Sequence, residues 1–242
     1  MKPADQGFTL IELMIGMVMT GIIVGIIYSA YSIQTKIYTE QGKVAEMQQN
    51  IRATLAFMQR EARMAGYNPT AATHPTCNEP GNTAPTAPGI FIADESTFGF
   101  SMDLDGSGDC TGAGENITYS LDTASGAIER TDNSSGVTSS IADDITNIRF
   151  VYMFKPPQAP KWGPLDLPLP GDDLSDVRAV QVSLLAQAKY PDRNAPAAMS
   201  FTLPLIDDHG TIIGDDTVWG PFNDGHRRRL LTTTINLRNM GL

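Results

Sequence analysis

Glu12 is the residue of this 242-residue chain that fits its surroundings least well. It opens an apolar run that continues to about Ile33, with no charged side chain from Leu13 to Gln34. An ionised carboxylate held in lipid costs on the order of 2.5 kcal/mol or more, so it calls for a partner and a function. Lys2 is the only basic side chain upstream, and no Lys or Arg follows within two helical turns. Cleavage after Gly7 would place a new α-ammonium group on Phe8, one helical turn from Glu12 in the same chain, or beside it from a neighbour.

A second chemical stretch runs from Asp103 to Glu115. Oxygen-bearing side chains alternate at Asp103, Asp105, Ser107 and Asp109, with glycine at the sixth place, as in the first half of a Ca²⁺-binding loop. The acid expected at the twelfth place stands at the thirteenth, Glu115, with Gly114 in its stead. These five residues are the candidate Ca²⁺ ligands. The plainer alternative, favoured here, is a solvated Asp/Gly-rich turn that needs no metal.

Other reactive side chains do not assemble into a site. His74, His209 and His226 are isolated, without the His-x-x-His or Cys-x-x-Cys spacing of a zinc centre. Ser107 lies between glycines but outside a Gly-x-Ser-x-Gly pattern, and no phosphate-cradling glycine motif with its lysine is present. Nothing in the sequence supports catalysis. The run His226-Arg227-Arg228-Arg229 would alternate faces in an extended segment, so pairing with nearby carboxylates is favoured over a single anion-binding patch.

The elements that must position these residues begin with a long helix. At ~1.5 Å per residue a helix over Phe8 to Ile33 measures roughly 39 Å, against a hydrocarbon core of ~30 Å. Beyond it Val44, Met47, Ile51, Leu55, Met58, Ala62 and Ala65 recur at spacings of three and four, which predicts an amphipathic continuation that ends near Gly66 and Pro69. Residues 67–88 read as a loop. Strands are expected at Gly89–Ala93, Thr97–Met102, Ile117–Leu121, Ala127–Arg130, Ile145–Phe154, Ala179–Ala186 and Thr232–Leu237, with strand-like pieces at Met199–Leu205 and Thr211–Ile213. Ile145–Phe154 alternates most cleanly, with Ile148, Phe150, Tyr152 and Phe154 on one face, and is expected at the centre of the sheet. The six prolines between Lys155 and Pro170 exclude a sheet interior. The fold class is therefore α+β, a long N-terminal helix laid on an antiparallel β-sheet.

Net charge is −10, and residues 67–242 carry −11 of it, which argues against a broad nucleic-acid surface. Cys77 and Cys110 are the two cysteines, readable as a bridge or as two separate thiols. In an oxidising compartment a bridge closing about 33 residues contributes up to roughly 4 kcal/mol. A secretory signal would carry small residues at a cleavage site after its apolar region, and no persuasive A-x-A follows here.

Gly7-Phe8-Thr9-Leu10-Ile11-Glu12, followed by the apolar helix, resembles the type IV pilin family. The resemblance implies a leader over residues 1–7, a transmembrane half of the helix over 8–35, an amphipathic half over 36–66 and a β-rich globular domain over 67–242. It also implies that a prepilin peptidase cuts after Gly7 on the cytoplasmic side and methylates Phe8, and that Glu12 serves assembly. Major pilins carry a proline about twenty residues into the mature helix; here none lies between Phe8 and Pro69, which favours a minor subunit. Ile141-Ala142-Asp143-Asp144-Ile145, the Val180–Leu185 strand and Arg227-Arg228-Arg229 before Leu237-Arg238-Asn239 resemble the PilW and PulJ branch of minor pilins. The partners so implied are other minor and major pilins, the prepilin peptidase, the inner membrane and the pilus assembly machinery. The place implied is the inner membrane of a Gram-negative bacterium, with a periplasmic domain, and then the pilus. Two alternatives stay open: a minor pseudopilin of type II secretion, and a tip adhesin whose ligand site is the 103–115 loop or the 155–170 segment.

Overall fold

The computed structural model describes residues 8–155, 173–192, 198–204 and 218–240. It falls into two compact units, Met1–Ala45 and Glu46–Leu242. One helix, α1 (Leu10–Ala62), contributes to both.

In the first unit the large apolar side chains of α1, from Leu10 to Ile37, are exposed. A window of this helix has a mean hydropathy of 2.4, long and apolar enough to cross a membrane. Its hydroxyls bond back to the preceding turn: Thr20 Oγ1 to the Gly16 carbonyl at 2.7 Å, Thr35 to Tyr31 and Thr39 to Thr35 at 2.9 Å each. A hydroxyl without such a partner would cost several kcal/mol in hydrocarbon, so these residues are compatible with an apolar solvent.

In the second unit α1 turns one face inward. Met47, Ile51, Thr54, Leu55, Met58 and Ala62 are buried at intervals of three and four, the periodicity of one helical face. The α-helix stops at Ala62, four residues before the expected glycine. Tighter turns close the gap, with Met64 N–H donating to Glu61 O at 2.8 Å and Ala65 N–H to Ala62 O at 3.1 Å. Gly66 then adopts φ +78° and donates to Ser101 O at 3.0 Å. A β-carbon on Gly66 would lie 2.9 Å from Met240 Sδ, so both conformation and space call for glycine.

Strands β1 (Ile90–Ala93), β2 (Thr97–Ser101), β3 (Asn116–Asp122), β4 (Ala127–Asp132) and β5 (Val137–Ala142) form an antiparallel sheet in sequence order. A second antiparallel sheet has the order β10 (Arg228–Asn236), β7 (Val177–Gln187), β6 (Ile145–Phe154). A short pair, β8 (Met199–Thr202) and β9 (Val218–Phe222), stands apart in pairing. The two larger sheets meet through aromatic rings, Phe98 being 5.5 Å from Phe150 and 6.1 Å from Tyr152 between centroids.

The observed β6 matches the expected strand residue for residue, but it is not central. β7 holds the middle of its sheet, because its side chains from Ala179 to Ala186 are all buried while β6 is flanked by another element. Phe150 N–H donates to Glu95 O at 2.7 Å, and the Tyr152 hydroxyl donates to the Asp94 and Thr97 carbonyls at 2.9 and 3.2 Å. The opposite face of β6 is not purely polar either. Arg149 and Val151 are buried, and Arg149 Nε lies 3.1 Å from Glu95 Oε1. Strand β5 escaped the sequence reading because Val137 to Ser140 lacks apolar alternation. The expected piece at Thr211–Ile213 lies outside the described residues, as does nearly all of the 155–170 segment.

Candidate functional site

Gly7 lies outside the described residues; Phe8, next to it, is 90% exposed. Thr9 stands at the N-cap of α1 and Glu12 three residues on, and the two side chains close a reciprocal cap. Glu12 Oε2 accepts from Thr9 N–H at 2.9 Å and from Thr9 Oγ1 at 2.8 Å, while Thr9 Oγ1 accepts from Glu12 N–H at 3.4 Å. Thr9 is not among the residues expected at this site from the sequence. The pattern Thr-x-x-Glu before an apolar run is the signal that finds it. The cap fixes Glu12 against the first turn of α1 and brings no positive charge to it.

The 103–115 loop is organised by its acids. Carboxylate oxygens of Asp103, Asp105 and Glu115 lie within 4.8 Å of one another, and Asp103 and Glu115 are buried. Both buried groups are already engaged. Asp103 accepts from Gly106 N–H at 2.7 Å, Gly108 N–H at 3.0 Å and Thr70 Oγ1 at 3.2 Å. Glu115 Oε1 accepts from the amides of Leu104 and Asp105 at 2.7 and 3.1 Å, and Oε2 from Gly112 N–H at 2.7 Å. A β-carbon on Gly112 would fall 2.6 Å from the Glu115 carboxylate, so the glycine makes room for it.

Asp109 is outside the converging group and accepts instead from Thr111 N–H at 2.9 Å and Thr111 Oγ1 at 2.6 Å. The Thr111 hydroxyl and amide hold Asp109 below the usual carboxylate range, and those of Ser107 do the same for Asp105. Of the five candidate ligands, three converge and two serve the turn. Asp103 and Glu115 each meet three donors, which leaves about one lone-pair site apiece for a divalent cation beside Asp105.

The loop is tied to residues 67–88. Cys77 and Cys110 form a disulfide with Cα atoms 5.0 Å apart. Cys110 N–H donates to Thr76 Oγ1 at 3.0 Å, and Asn116 Nδ2 to the Thr76 and Asn78 carbonyls at 2.7 and 3.1 Å.

The arginine run is divided among separate partners. Arg227 Nε is 2.6 Å from Asp192 Oδ2. Arg228 is buried, donates from both terminal nitrogens to Asp224 at 2.7 and 2.5 Å, and lies 4.0 Å above the Phe222 ring. This guanidinium holds the Asp224 carboxyl well below the usual carboxylate range. Arg229 is exposed, so the three cations do not make one patch. His74 Nδ1 pairs with Thr76 Oγ1 and His226 Nδ1 with the Ala188 carbonyl, and His209 lies outside the described residues.

No curated protein matches this chain. Among solved structures it is similar to a type IV-like pilin from Thermus thermophilus, with TM-score 0.46 and 17% identity over 81% of this chain and 98% of that one. The matched motif lies where Gly7, Phe8, Thr9 and Glu12 stand: residues 2–28 fit the family described as the prokaryotic N-terminal methylation motif.

Proposed function

We propose that this chain is a minor pilin that joins the initiating or tip complex of a type IV pilus through α1. The observation that carries the reading is the methylation motif over residues 2–28, continuous with a helix whose large apolar side chains from Leu10 to Ile37 are exposed among the described residues. A prepilin peptidase cuts the Gly7–Phe8 bond at the cytoplasmic face of the inner membrane and methylates the new amine. The apolar half of α1, to about residue 35, holds the subunit in the bilayer, with the globular unit in the periplasm of a Gram-negative cell. Other minor and major pilins and the assembly machinery are the partners.

Register comes from charge. Both Thr9 donors converge on Glu12 Oε2, which leaves Oε1 to face the Phe8 ammonium of a neighbouring subunit. A neighbour out of register leaves both charges unpaired in lipid, at a cost of several kcal/mol. Glu12→Ala is therefore expected to stay in the membrane and to lose surface pili. Unchanged piliation would contradict the mechanism. A minor pseudopilin of type II secretion shares this N-terminal chemistry, and loss of secretion without loss of pili in the same variant would select it.

A further inference from the structure

β5 is the outer strand of the five-stranded sheet and pairs only with β4 among the described residues. An outer strand offers a row of backbone donors and acceptors to any second strand, and proteins ordinarily blunt it with charge, proline, brevity or a covering element. The other outer strands of the two larger sheets are blunted. β1 has four residues and an irregular register at Ile90/Ile92, β10 opens with Arg228 and Arg229, and β6 is flanked by Asp94, Glu95 and Thr97. β5 has no charge or proline of its own along Val137, Thr138, Ser139 and Ser140, all exposed, with Val137 at 56%, and the nearest carboxylate is that of Asp143, which accepts from Ser140 Oγ at 3.0 Å at the end of the run. Its one irregularity against β4 falls at Ile141, beyond that run.

The chemistry of the strand selects its occupant. Asn133 to Ala142 is ten residues without a charge in a chain of net charge −10, so here two copies approach with little repulsion. Read in reverse, Val137-Thr138-Ser139-Ser140-Ile141 nearly repeats itself. An antiparallel two-fold centred on Ser139 sets Ser139 against Ser139 and Thr138 against Ser140, short of the bulge at Ile141. Across that axis hydroxyl meets hydroxyl, and no carboxylate lies within the paired run. The same hydroxyl pairing already occurs one strand inward, where Thr131 Oγ1 and Thr138 Oγ1 are 2.9 Å apart.

We infer that β5 is a self-association edge: two copies of this chain pair β5 to β5 about a two-fold axis and join their five-stranded sheets into one of ten. This inference does not depend on the pilus assignment.

The test uses the full chain in mild detergent. Both native cysteines are in the Cys77–Cys110 disulfide, so one introduced cysteine is the only reactive thiol. Ser139→Cys is expected to give an interchain disulfide dimer on oxidation, because residues directly opposite have Cβ atoms about 4.5–5.5 Å apart. Ser125→Cys, in the turn between β3 and β4, is expected to remain monomeric. Ser139→Lys and Ser139→Glu should each weaken self-association about fivefold, and mixing the two should restore it. Equal cross-linking at 125 and 139, an absence of dimer, or a dimer indifferent to Ser139→Lys would overturn the inference.

Discussion

Glu61, in the last turn of α1, lies 2.9 Å from Arg130 Nε on β4, with both side chains about four-fifths shielded from water. The same carboxylate accepts from the Tyr119 hydroxyl on β3, so one acid joins the helix to two strands. Burial, and after it the Glu61 charge, pushes the Tyr119 phenol far up.

Glu61→Ala is expected to destabilise the chain by about 2–3 kcal/mol, because it leaves a buried phenol and a largely shielded guanidinium without this acceptor. Glu61→Gln keeps one acceptor oxygen and should cost less. Since the Tyr119 pKa is higher folded than unfolded, its contribution is complete below the ordinary tyrosine range and declines as pH rises above about 10. Urea unfolding in detergent, from neutral pH to above pH 10, measures both.

The 103–115 loop should keep its shape without a cation. Six protein donors already meet the Asp103 and Glu115 carboxylates. Chelator is expected to leave the melting temperature unchanged, whereas Glu115→Ala should cost about 3 kcal/mol or more through three unsatisfied amides. A rise in melting temperature with millimolar Ca²⁺ would instead identify a cation site at Asp103, Asp105 and Glu115.

Arg228 needs its acid more than Asp224 needs its base, because Arg228 is buried and Asp224 is half exposed. Asp224→Ala is expected to cost about 1–3 kcal/mol, and Arg228→Met less than that, since a long apolar side chain still covers Phe222. The Asp224 pKa is lower folded than unfolded, so this stabilisation is present above about pH 4 and lost as pH falls further. Acid titration of wild type beside Asp224→Asn reads the difference.

The cap at Thr9 predicts a graded series. Thr9→Ser keeps a hydroxyl and should preserve surface assembly, while Thr9→Val removes the cap, costs about 1 kcal/mol at the helix start and should lower piliation without loss from the membrane. Equal piliation in the two variants would assign Thr9 no part in orienting Glu12.

Much of this layout was legible because its signals are local. The α1 stripe from Met47 to Ala62 and the alternation of Ile148, Phe150, Tyr152 and Phe154 are periodicities, and they mark an element and its buried face. They say nothing about lateral order, so β6 was expected where β7 stands. β5 carries no periodicity, and only its register with β4 reveals it. Alternating oxygens from Asp103 to Asp109 suggested an inward-facing ring, but a side chain two residues ahead of an amide also makes a local turn, and Asp109 took that course with Thr111. Burial of Arg149 depended on Glu95, an acid 54 residues away that no spacing rule connects to it, whereas Asp224, four residues before Arg228, is one of the nearby carboxylates with which the arginine run was expected to pair.

Intact-mass spectrometry of the protein taken from its native envelope tests the central claim most directly. The account predicts a chain that begins at Phe8 and carries one added methyl group on its amine. A chain that retains Met1, or one that begins well beyond residue 8, would contradict it.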